Sequence, residues 1–110
     1  MADMTAEREG AILEAALEKY GAARQRRKMI EEMAELTQAL CKLERTAEPM
    51  GYDAADTVRA NNHVLEEIAD VQIMLNQMQL LYGDCTEHEI KKLERLAWRL
   101  GMEDGDGGTD

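Results

Sequence analysis

Six residues recur in type and order in this chain: Glu31-Glu32-Met33-Ala34-Glu35-Leu36 and, 35 positions later, Glu66-Glu67-Ile68-Ala69-Asp70-Val71. In a helix, either copy places two carboxylates at i and i+3 on one face: Glu32 with Glu35, and Glu67 with Asp70. Carboxylates without His or Cys beside them are hard oxygen ligands that suit Mg, Mn or Ca. A site leaving positions open to water and phosphate suits Mg best. The chemistry open to such a set is the binding of a divalent cation and, through it, of phosphate groups.

Both copies lie in long segments without Gly or Pro, which predicts helices over 22–45 and 61–82. On a wheel at about 100° per residue with Glu32 at zero, Met29, Leu36, Leu40 and Leu43 fall within about 80° of it, and Glu35 lies at the margin. The acids therefore border an apolar stripe, whereas an ordinary solvated Glu sits opposite one. The second helix repeats this with Val64, Val71, Leu75 and Met78 around Glu67, and its back adds Leu65, Ala69, Ile73 and Leu80, so it should be central. Glu31 falls at the edge of its stripe, and Glu66 reads as a surface acid.

Around these two helices the pattern predicts a short amphipathic helix over 11–20, stopped by Gly21, with Thr5 available to cap an earlier start. It predicts a last helix over 87–100, with Thr86 and Glu89 as a capping box and Ile90, Leu93, Leu96, Ala97 and Leu100 as its core stripe. Residues 46–60, with Pro49 and Gly51, read as a loop, and Asn61 and Asn62 as caps of the helix that follows. The expectation is an all-α four-helix bundle in one domain, 1–102, followed by a disordered acidic tail, 103–110, rich in Gly and Asp.

The composition agrees with helix: eight Met, one Pro and no Phe. Cys41 and Cys85 are too few for a disulfide scaffold and read as thiols, Cys41 as packing, in a reducing compartment. No apolar run approaches the roughly 20 residues that span a bilayer, so the expected location is the cytoplasm, without membrane contact. Formal charge is −10, and it remains negative without the acidic tail. That argues against a nucleic acid polymer as partner, because such binding rests on clustered Lys and Arg. The run Arg24, Arg26, Arg27, Lys28 reads as a solvated stretch balancing the acids after it. An apolar-all-round central helix predicts a homo-oligomer, a dimer or tetramer, which a light-scattering mass of one chain would contradict.

Two carboxylate pairs facing across a core repel by roughly 3 kcal/mol per pair of charges about 5 Å apart at an effective dielectric near 20. One acidic cluster on a helix is usually a solvated edge. Two in matched register, both on apolar sides, call for a shared cation. Ferritin-like di-iron bundles also use inward carboxylates but need Glu-x-x-His pairs, and neither His63 nor His88 stands three residues after a Glu.

The Glu-Glu-x-x-Glu of residues 31–35, followed on a later helix by the Glu-x-x-Asp of residues 67–70, resembles the motif pair of the MazG-like all-alpha nucleoside triphosphate pyrophosphohydrolases. The similarity spans about residues 12–100 and includes Gln25 and the Lys92-Leu93-Glu94-Arg95 stretch. The gap between Glu35 and Glu67 is longer than in the most compact members, and aromatics for base recognition are scarce. The resemblance implies Mg-dependent (Mn possible) cleavage of a nucleoside triphosphate between its α and β phosphates. Glu32, Glu35, Glu67 and Asp70 would hold metal, Glu31 would orient or deprotonate the attacking water, and Lys92 and Arg95, with Arg99 beside them, would contact phosphate. Gln25, on the Glu32 side of its helix, could reach substrate or be a plain surface amide. Tyr20, Tyr82 and Trp98 at helix ends fit packing better than base stacking. The alternatives are a phosphoribosyl-ATP pyrophosphatase and a non-catalytic acidic helical interaction protein.

Overall fold

The chain begins its first helix where a hydroxyl can cap it. Thr5 Oγ1 accepts the Arg8 N–H at 3.1 Å, and α1 runs Ala6–Tyr20, earlier than the expected 11–20. The Thr5 cap and the acids Glu7 and Glu9 in the first turn offset Gly10, which costs about 1 kcal/mol inside a helix. Gly21 ends α1 at φ 85°, a left-handed conformation that favours glycine, and its N–H donates to the Leu17 carbonyl. The next helix, α2, spans Ala22–Arg45, as the pattern predicts. In this computed structural model, residues 3–47 and 51–102 are described; Pro49 and the expected tail lie outside them.

Two caps differ from expectation. The long third helix, α3, runs Ala54–Tyr82, so the expected loop is shorter and Asn61 and Asn62 lie inside the helix rather than capping it. The cause is Asp53: its side chain accepts the Asp56 N–H at 2.9 Å while Asp56 accepts the Asp53 N–H at 3.0 Å, a reciprocal box built from two aspartates. The last helix, α4, spans Thr86–Arg99 with Cys85 at its cap and no side-chain cap bond. Thr86 turns backwards instead, donating from its N–H and hydroxyl to Asp84 Oδ1 at 3.0 and 2.6 Å, so the box with Glu89 does not form.

The elements are all helices, four among the described residues, with no strand. The body is the α2–α3 pair, with α1 packed against both. The pair is antiparallel: Gln25 near the start of α2 meets Gln77 near the end of α3, and Glu32 and Glu35 meet Glu67. Its buried positions in α2 run Gln25, Met29, Glu32, Ala39, and in α3, read backwards, Gln77, Met74, Glu67, Val64. The seam is thus an amide layer, a methionine layer, an acidic layer and a small apolar layer. Of α1, Leu13 is buried and Ile12 is not.

The fourth helix packs against none of the other three. Its expected core stripe is open to solvent: Ile90, Leu93, Leu96 and Leu100 are all exposed. The sequence pattern fixes which face of α4 is apolar, but the chain itself does not cover that face. Much of the α3 back, Leu65, Ile68, Ile73 and Leu80, is exposed as well. Cys41 and Cys85 are free and exposed, so Cys41 is not packing. Among the described residues no helix is long and apolar enough to cross a membrane.

Candidate metal centre

The acidic layer of the α2–α3 seam gathers Glu32, Glu35 and Glu67, with one carboxylate oxygen from each lying within 4.8 Å of the others. Register brings them together: the third acid of the first copy and the second acid of the second copy meet because the helices run in opposite directions. Glu32 and Glu67 are 5% and 8% exposed, which for carboxylates requires partners, whereas Glu35 is exposed.

The partners are incomplete. Lys28 Nζ lies 3.0 Å from Glu32 Oε1, one helical turn away. His63 Nε2 lies 3.9 Å from Glu67 Oε1, beyond hydrogen-bond length. The second oxygens, Glu32 Oε2 and Glu67 Oε2, are buried and accept no hydrogen bond. Burial raises the Glu67 pKa above its ordinary value, the charges of Glu35, Asp70 and Glu32 push it further, and His63 opposes them. The hydrogen bond to Glu32, and then its charge, raises the pKa of Lys28.

Three carboxylates converge here, the Lys28 ammonium pairs with Glu32, and two buried oxygens are left unsatisfied. Oxygen donors alone, partly buried and short of positive charge, fit a hard divalent cation.

The other expected site residues fall around this centre or away from it. Asp70 is exposed and outside the triad, lining a small cavity of about 180 Å³ with Lys28, Glu32, Ile73 and Met74. Glu31 is exposed and faces a larger cleft shared with Tyr20, Arg24, Gln25, Arg27, Lys28 and Met74. Glu66 is exposed, 4.0 Å from His63 Nδ1, as a surface acid should be. Lys92 and Arg95 lie on α4, which does not pack on the seam, so within one chain they are not gathered with the acids.

Two features were not read from the sequence. Gln25 is not a surface amide: it is 7% exposed and its Nε2 donates to Gln77 Oε1 at 2.8 Å, a buried amide pair that ties α2 to α3. Lys28, half exposed as the basic run predicts, balances one acid in particular, Glu32 at 3.0 Å; their i, i+4 spacing was the available signal. Comparison with protein-family models, with curated proteins and with solved structures finds no match for this chain.

Proposed function

We propose that the chain is a nucleotide pyrophosphohydrolase that cleaves a nucleoside triphosphate between its α and β phosphates, using a divalent cation, Mg in preference to Mn, held by Glu32, Glu35 and Glu67 with Asp70 beside them. The observation that carries the reading is the pair of buried oxygens, Glu32 Oε2 and Glu67 Oε2, left without a hydrogen bond in a converging acidic triad. A folded chain tolerates such a cost where a ligand removes it. The likeness of the two motifs to those of MazG-like enzymes supplies the substrate class.

The chemistry supplied by a bound Mg is neutralisation of phosphate charge and acidification of water. The chain's own groups divide the remaining work. Lys28 holds Glu32 in place, and the Gln25–Gln77 pair fixes α2 against α3 next to the triad. Glu31, one residue before Glu32 and open to the cleft, is placed to accept a proton from the attacking water. Lys92 and Arg95 take the phosphate-contacting role only in an assembly that brings an α4 over the seam, and the exposed apolar stripe of α4 supports such self-association. An acidic protein acting by charge mimicry would display its carboxylates, whereas Glu32 and Glu67 are buried.

The test is to incubate purified protein with NTPs, dNTPs and phosphoribosyl-ATP plus Mg and to measure monophosphate and pyrophosphate. The expected outcome is equal release of both. Orthophosphate alone, or no turnover of any nucleotide, would overturn the reading; turnover of phosphoribosyl-ATP alone would move the substrate and keep the chemistry.

A further inference from the structure

The cleft beside the acidic triad has a volume of about 780 Å³, and its walls carry Arg24 and, one turn further along α2, Arg27 and Lys28, with Glu31 the one acid among its lining residues. In a chain of net charge −10 this concentration of cations is unexpected. Lys28 has Glu32, but Arg24 and Arg27 have no carboxylate partner among the described residues. Arg24 also stands at the wrong end of its helix, in the first turn. The N-terminus of α2 is its positive pole, its first turn contains no acid, and its Gly21 cap supplies no side-chain acceptor. Cations at that pole are destabilising unless an anion joins them.

Two neighbours give the cleft a fixed shape. The Arg24 guanidinium lies over the Tyr20 ring, 5.2 Å from its centroid, and Lys19 lies 5.4 Å from the same ring. Tyr20 therefore positions cations beside the cleft. Gln25, which lines the cleft, is locked by its bond to Gln77.

Along the α2 axis Lys28, Arg27 and Arg24 lie about 6, 7.5 and 12 Å before Glu32, at 1.5 Å per residue. One helix thus presents an acidic site for a cation and, immediately before it, a row of cations. A metal-bound polyphosphate has the complementary order, with the metal near the bond to be cut and further phosphates trailing from it. We infer that the Arg24–Arg27–Lys28 cleft holds the pyrophosphate end of the triphosphate, its β and γ phosphates. This rests on the proposed pyrophosphohydrolase reading. Arginine suits the role because its planar fork binds phosphate oxygens in pairs.

The test uses the full chain and inorganic pyrophosphate. Calorimetry without nucleotide measures pyrophosphate binding to the wild type, to Arg24→Gln/Arg27→Gln and to Arg26→Gln. Arg26 is the control: it neighbours Arg27 but donates to Tyr82 Oη at 3.0 Å and does not line the cleft. The double variant should bind pyrophosphate about tenfold or more weakly, with a shallower salt dependence, and show a KM for triphosphate raised to match, while Arg26→Gln stays near wild type. Unchanged pyrophosphate affinity in a folded double variant overturns the inference, as does an equal loss in Arg26→Gln, which would mean bulk charge only. Failure of the activity is distinguishable: a chain that turns over no nucleotide but loses pyrophosphate binding only in the double variant keeps the cleft and loses the reaction.

Discussion

The two copies of the acidic repeat match in sequence and differ in surroundings. In the first copy the buried acid, Glu32, has Lys28 one turn before it at 3.0 Å. In the second, the position one turn before Glu67 holds His63, at 3.9 Å and charged only when protonated. The last acid differs too: Glu35 joins the triad, while its counterpart Asp70 remains outside it. The repeat is therefore one of helix position, and a shared position does not confer a shared environment. The second copy is the one short of positive charge, and a cation at the centre satisfies it most.

The largest expected effect tests whether the copies contribute unequally. Glu35→Gln and Glu67→Gln should each lower turnover about 100-fold or more and abolish stabilisation by Mg, because each removes a ligand of the proposed metal site. Asp70→Asn should cost less than Glu35→Gln in both readouts. Equal losses at positions 35 and 70 would restore the symmetry that the geometry denies.

A middle-sized effect separates the local partners. In chelator, Lys28→Met should destabilise the protein by about 1–2 kcal/mol in urea unfolding, since it leaves Glu32 buried without its cation; the half-exposed Lys28 keeps the loss below that of a fully buried pair. His63→Ala should cost less than about 0.5 kcal/mol at neutral pH. A larger loss at His63 would mean that the second copy is paired after all.

The smallest effect is the pH dependence of the metal-free protein. Because the folded-state pKa of Glu67 is raised, the native chain binds more protons than the unfolded chain between the ordinary value of 4.5 and the raised one. Stability from this group should fall as pH rises through that window and level off above it. Asp56 and Asp84 act with the opposite sign at lower pH: their hydrogen bonds hold their pKa values below 3.8, and the stability they lend is lost as pH falls through them. Melting temperatures in chelator across these ranges should show a descent above pH 4.5 that Glu67→Gln flattens. A wild-type curve already flat there would remove the unfavourable charge assigned to Glu67.

Much of this was legible in one dimension. The α2 boundaries followed from Gly21 and a run free of Gly and Pro, and the apolar-side placement of Glu32 and Glu67 followed from helical spacing. These are local properties, set within a few turns of chain. The start of α3 was local as well, but its Asp53–Asp56 box fell in a stretch whose Pro and Gly signalled loop. Other features required the second helix in place. Whether Asp70 joined the acids, whether Gln25 met water or Gln77, and whether Arg24 and Arg27 faced solvent or a cleft depended on the antiparallel register of α2 against α3. That register is decided by packing of the whole seam. The sequence by itself determined four amphipathic helices and an acidic site; only the tertiary structure decided which acids meet, which stay unsatisfied, and that α4 would leave its apolar face open, because a stripe specifies burial without specifying what covers it.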